Sequence, residues 1–157
     1  MEEVGTIIIS GSLEDTGVIL DINDYFYKLF KYKNKEDLLK NSVNKIIPSF
    51  LAQYHDEYIH RYLNTSEGHV INTLRIVFGL NNNGFIFPVM MFIKLIPYLD
   101  KGVRFIGLLK DVDNDNGIYK IGDKNISKAL SFIISDKDGV ISNISKHVYF
   151  SIKLNRL

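Results

Sequence analysis

The chain has 157 residues, 19 basic against 18 acidic side chains, and an apolar fraction of 46%. That suits one globular domain with a useful core, or one domain plus a fragment, and a balanced charge without a basic face argues against nucleic acid as a partner. Cysteine is absent, which excludes disulfides, thiolate metal sites and cysteine nucleophiles.

The opening Met-Glu-Glu-Val lacks the basic and apolar regions of a signal peptide. The longest apolar run, residues 85–96, is interrupted by Pro88 and Lys94 and falls short of the roughly 20 residues a bilayer span needs. The expectation is a cytoplasmic protein without a membrane segment, or a cytosolic part of a larger or membrane-associated one.

Residues 6–10 are β-branched and read as a strand, and residues 14–17 as a turn. Residues 18–22 read as a second strand that completes a hairpin. Asn23 or Asp24 can then cap a helix whose Phe26, Leu29 and Phe30 share one face. Residues 35–40 read as a short polar helix or turn with Leu38 and Leu39 packing inward. Pro48 breaks the chain, and a helix follows it. In that helix Tyr54, Tyr58 and Tyr62 recur at one spacing, and His55, Ile59 and Leu63 recur beside them. A titratable ring therefore shares a stripe with two aliphatic side chains. Residues 74–80 read as a strand, 81–84 as an Asn-Gly hairpin turn, and 85–96 as a long strand in which Pro88 hints at an edge or bulge. Residues 100–102 read as another turn and 103–112 as the last strand of the unit.

Residues 113–126 read as a surface linker rich in Asp, Asn and Gly. Beyond it the chain starts again. The run from Asp138 to Ile144 echoes that from Thr16 to Ile22 at an offset of 122 residues, and Phe132-Ile133-Ile134 matches the first strand. Residues 127–157 are read as the start of a second unit that is cut short, or as a strand pair docking on the first.

Several stretches together resemble a PAS domain over residues 5–112. They are Gly17-Val18-Ile19, Asn23 ahead of Leu29-Phe30-Lys31-Tyr32 (with Lys31 where the family has glycine), Ile47-Pro48, Gly79 to Val89, and Phe105 to Val112. The resemblance implies an α+β fold, a five-stranded antiparallel sheet with helices packed on one face. Within the family, residues 54–112 are similar to the haem-binding PAS domain of FixL-type oxygen sensors, and the first half also resembles PAS domains of large protist membrane proteins. The FixL likeness implies haem b held by His55 as the iron ligand, with Ile59 beside it. Arg61 and His69 would meet the propionates and Arg75 would bond a bound gas. Val70, Met91 and Ile93 would be the aliphatic pocket. A light-driven flavin adduct is excluded because no cysteine is present.

The residues themselves leave alternatives open. His55 can equally be a core histidine whose ring nitrogen bonds backbone, and Arg75 can point into solvent. His60 is expected to be exposed. The aromatic side chains serve a packed core or line a small-molecule pocket. No phosphate loop, paired carboxylates or Ser/His/Asp set is present, so no enzyme is expected. The expected function is a sensory and regulatory module in signal transduction, or a ligand-free docking module. Its expected partner is another protein or a second copy, met through the sheet and termini.

Overall fold

The computed structural model describes residues 4–68, 70–98, 102–112, 118–121, 124–127 and 131–149. The first strands are β1 (Gly5–Ser10) and β2 (Ile19–Ile22), followed by helix α1 (Asp24–Leu29). Two 3₁₀ turns, Lys35–Asp37 and Val43–Ile46, lead into helix α2 (Ser49–Thr65). Strands β3 (Arg75–Leu80), β4 (Ile86–Tyr98) and β5 (Gly102–Asp111) then complete one antiparallel sheet in the order β2-β1-β5-β4-β3.

Local chemistry explains these boundaries. Asn23 Oδ1 accepts from the backbone N–H of Phe26, capping α1, and also from Thr6, which ties the helix start to β1. At the other end of α1 the N–H of Lys31 reaches Lys28 O and that of Tyr32 reaches Tyr27 O, the double bond pattern of a helix closed by a left-handed residue. That residue is Lys31, with φ +61°. Its backbone takes the conformation that glycine would supply in the resembling family. Between β3 and β4, Asn81 Oδ1 accepts from the N–H groups of Asn83 and Phe85, and Gly84 takes φ +80°.

Pro88 sits in β4 opposite Phe78 of β3. The β4–β5 ladder begins only at Val89, so Pro88 lies where β5 has not yet joined and removes no bond from that ladder. The edge expectation at Pro88 is met for that reason.

Pairing register and strand alternation put Ile7, Ile9, Val77, Met91, Ile93, Phe105 and Leu109 on one face. The helices cover that face. Ile19, Phe26, Phe30 and Leu38 are fully buried in the core. The ring of Phe30 meets Phe26 at 4.9 Å and Phe87 at 5.2 Å. Gly79 lets Phe30 lie against β3, since a Cβ there would come within 2.8 Å of the ring.

In the later part of the stretch expected as a linker, and one residue past it, strands β6 (Ile118–Ile121) and β7 (Lys124–Ser127) pair as an antiparallel ribbon. Strands β8 (Ile133–Ser135) and β9 (Ile141–Ile144) form a further hairpin. The turn expected at residues 100–102 lies mostly outside the described residues, as do residues 150–157. No helix among the described residues is long and apolar enough to cross a membrane.

Candidate functional site

Helix α2 is opened by Pro48 and closed by Ser66 in the left-handed conformation, whose N–H bonds Tyr62 O. Its inward stripe is the one read from spacing. Ile59 is buried, and His55 and Leu63 are half-buried, while Tyr54 and Tyr58 are exposed. Tyr62 turns inward far enough to meet Phe105 at 6.0 Å. His60, which follows Ile59 on the helix, corrects the expectation of exposure. It is half-buried, and its Nε2 lies 2.9 Å from Thr16 Oγ1. Because that hydroxyl donates to Ser12 O, the imidazole N–H is the donor to Thr16. His60 thereby ties α2 to the β1–β2 turn.

His55 is different. Its Nδ1 is buried and has no hydrogen-bond partner among the described residues. Burial pushes its pKa below the ordinary imidazole value, and the neighbouring Asp56 carboxylate offsets only part of that. Asp56 itself lies on the exposed side, where Asn44 Nδ2 donates to both of its oxygens at 3.2 and 3.3 Å. His55 also helps wall a cavity of about 90 Å³ between α2, the second 3₁₀ turn and the sheet. Phe30, Val43, Ile46 and Ile47 line it on the helix side, and Ile7, Val77, Val89, Met91, Ile93 and Leu109 on the sheet side. His55 is the only titratable residue in this lining. Gly107 lets the Ile7 side chain lie against β5 there, since a Cβ would meet Ile7 Cγ2 at 2.8 Å.

The expected site residues divide into three groups. His55, Met91 and Ile93 line the cavity. Ile59 is in the core beneath the same helix but outside the lining. Arg61, Val70 and Arg75 are exposed. Arg61 lies over the Tyr58 ring at 5.7 Å on the solvent side of α2. Arg75 pairs with Met91, so it shares the cavity-side face of the sheet but sits at its open end. His69 lies outside the described residues.

A haem does not fit this packing. A cavity of about 90 Å³ is smaller than the roughly 150 Å³ cavity that admits benzene, and pockets for drug-sized ligands start at about 300 Å³. The expected propionate partner Arg61 also faces away from the cavity. Of the two ring nitrogens of His55, Nδ1 makes no hydrogen bond among the described residues. Val77, Leu109 and Ile46 were not singled out from sequence. Alternation along β3 and β5 carried the signal for the first two, since each shares a face with Met91.

No protein-family model matches the chain. A probable serine/threonine-protein kinase of Dictyostelium discoideum is 27% identical to it over 137 residues, which is 87% of this chain and 8% of that protein. The chain thus spans under a tenth of that curated relative. Among solved structures, the PAS domain of a protein from Colwellia psychrerythraea is 16% identical and superposes over 71% of this chain and 87% of its own, with a TM-score of 0.54. A PAS domain from a two-component sensor histidine kinase is likewise 16% identical, over 68% and 83% of the two chains, with a TM-score of 0.50. With the five-stranded order and the helix-covered face, these likenesses give the chain the PAS fold.

Proposed function

We propose that this chain is a sensory and regulatory module in signal transduction whose input is a very small ligand taken up beside His55. The observation that carries this reading is the orphaned, buried Nδ1 of His55 in the wall of an apolar cavity of about 90 Å³. Buried polar groups are normally bonded, and a site with one polar atom in an apolar wall suits a ligand that is mostly apolar. A neutral imidazole, which burial favours here, offers either a donor or an acceptor to such a ligand. Filling the cavity would favour conformers with α2 slightly off the sheet, and differential affinity for those conformers is what shifts a population. The kinase named as a relative and the neighbour from a sensor histidine kinase support an output to a protein kinase, in the same polypeptide or in a partner.

Xenon is the test probe, since it is smaller than benzene and enters apolar cavities. Under a few atmospheres of xenon, the methyl resonances of Met91 and Ile93 and the ring resonances of His55 are expected to shift together and to saturate. Absence of any shift at these groups would remove the ligand reading. A visible spectrum after haem supplementation tests the haem alternative. A Soret band lost in His55→Ala would replace the small-ligand reading by haem.

A second reading, a docking module that works without ligand, draws support from the face of the sheet away from the helices. Ile76 and Leu108 are 50% and 41% exposed there, and Met90 and Phe92 are half-buried beside them. A contiguous apolar patch of this kind marks an interaction surface. The partner proposed under this reading is another protein or a second copy of the chain.

A further inference from the structure

The β8–β9 hairpin repeats the opening of the molecule in detail. In the first hairpin Ile7 pairs with Ile22 and the register slips between Ile8 and Ile9. In the later one Ile133 pairs with Ile144 and the register slips between Ile134 and Ser135. The N–H of Asn23 bonds Thr6 O while its side chain accepts from Thr6 N. Ser145 does the same to Phe132, by backbone and by Oγ. Each is followed by a helical turn.

A two-stranded ribbon is marginal by itself in water, and this one has contacts outside itself. The Phe132 ring meets Phe78 of β3 edge-on at 5.0 Å, and the Tyr149 ring meets Phe85 at 5.4 Å. Ser145 forms a parallel bridge to Ile86, on the stretch of β4 that β5 does not reach. Ser145 and Val148 are buried. Ser49, at the head of α2, lies 3.5 Å from the Asn143 side chain. Both walls of the cavity are therefore touched. β3 carries Val77 and Gly79 into the lining, and α2 carries His55.

We infer that residues 131–149 are an intramolecular latch. They repeat the form of the opening hairpin of this fold, are seated on the β3–β4 end of the sheet, and tie α2 to β3. The surface formed by Phe78, Phe85, Ile86 and Ser49 is a docking site for that hairpin. Its chemistry is one edge-on and one tilted aromatic contact flanking a strand edge left open where β5 ends. The latch couples both walls of the cavity of the proposed function to one hairpin, but the docking itself does not depend on that reading.

The absence of cysteine makes a cross-link test clean. In the full chain, the pair Ser49→Cys with Asn143→Cys is expected to form an intramolecular disulfide under mild oxidation, and neither single variant is. Hydrogen exchange supplies the second measurement. Amides of β8 and β9 are expected to be protected at least tenfold over an unstructured chain, and Phe132→Ala is expected to abolish that protection while leaving β1 and β5 unchanged. Unprotected β8 and β9 amides together with no disulfide would overturn the latch. A latched hairpin in a protein that takes up no xenon would uphold it and overturn only the cavity reading.

Discussion

At the scale of single residues, His55 and His60 show how one turn of helix separates two chemistries. Both are half-buried imidazoles on α2. His60 has Thr16 as a partner, and His55 Nδ1 has none among the described residues. The spacing of His55 with Ile59 and Leu63 was enough to place it on the inward stripe. What the spacing could not carry was the partner of either ring, because that depends on a turn 44 positions away for His60 and on sheet register for His55. The depressed pKa of His55 has a consequence for stability. The unfolded chain takes up a proton near the ordinary value of 6.5 while the folded one resists it, so the unfolded state binds more protons in that window and stability falls as pH falls below about 6.5. One proton limits the slope to about 1.4 kcal/mol per pH unit. Urea denaturation from pH 7.5 to pH 5.5 should show the parent losing stability with a steeper slope than His55→Leu. At pH 7.5 the leucine variant should be at least as stable, since it removes an unsatisfied buried nitrogen. Equal slopes would mean that His55 is not held neutral by burial.

At the scale of elements, helix ends and strand edges were the most legible features where a single residue type decides them. Asn23, Pro48, Asn81 and Gly84 each act as their chemistry dictates. The 3₁₀ turn at Val43–Ile46 was missed, because four residues carry too little periodicity to read. The β6–β7 ribbon was missed because its strands are four residues each, carry no clear period, and follow an Asp- and Asn-rich run. Lys31 is the informative departure. The resembling family has glycine here, and the closure of α1 demands the left-handed conformation whichever residue is present. A non-glycine residue pays about 1–2 kcal/mol in that region, while glycine loses about 0.4–1 kcal/mol through a more flexible unfolded chain. Lys31→Gly is therefore expected to stabilise the protein by about 1 kcal/mol. Chemical denaturation would read this as a higher midpoint at unchanged slope. A destabilised variant would show that the Lys31 side chain makes contacts outweighing its backbone strain.

At the scale of the whole molecule, the fold was legible through the resemblance carried by stretches such as Gly17-Val18-Ile19, Ile47-Pro48 and Phe105 to Val112. Hairpin turns and the apolar stripe of α2 located its elements, and the sheet order β2-β1-β5-β4-β3 came with the structure. The cavity was not legible, because its volume is set by how Phe30, Ile46 and the sheet meet. Residue types at family positions suggested a slot for haem, and the packing leaves room for far less. The opposite face of the sheet carries the last expectation. Pairing places Ile76 beside Met90 and Phe92 beside Leu108, all pointing away from the helices. Burying such a face on a second copy would remove apolar area from water at roughly 25 cal/mol per Å² before association costs. Two charges at its centre would have to be desolvated unpaired. The double variant Ile76→Asp with Leu108→Asp is thus expected to raise the dimer dissociation constant at least tenfold, with the fold intact because neither side chain belongs to the core. Sedimentation velocity over a concentration series measures this. A parent chain that stays monomeric at millimolar concentration would reject self-pairing through the sheet and leave a different protein as the occupant of that face.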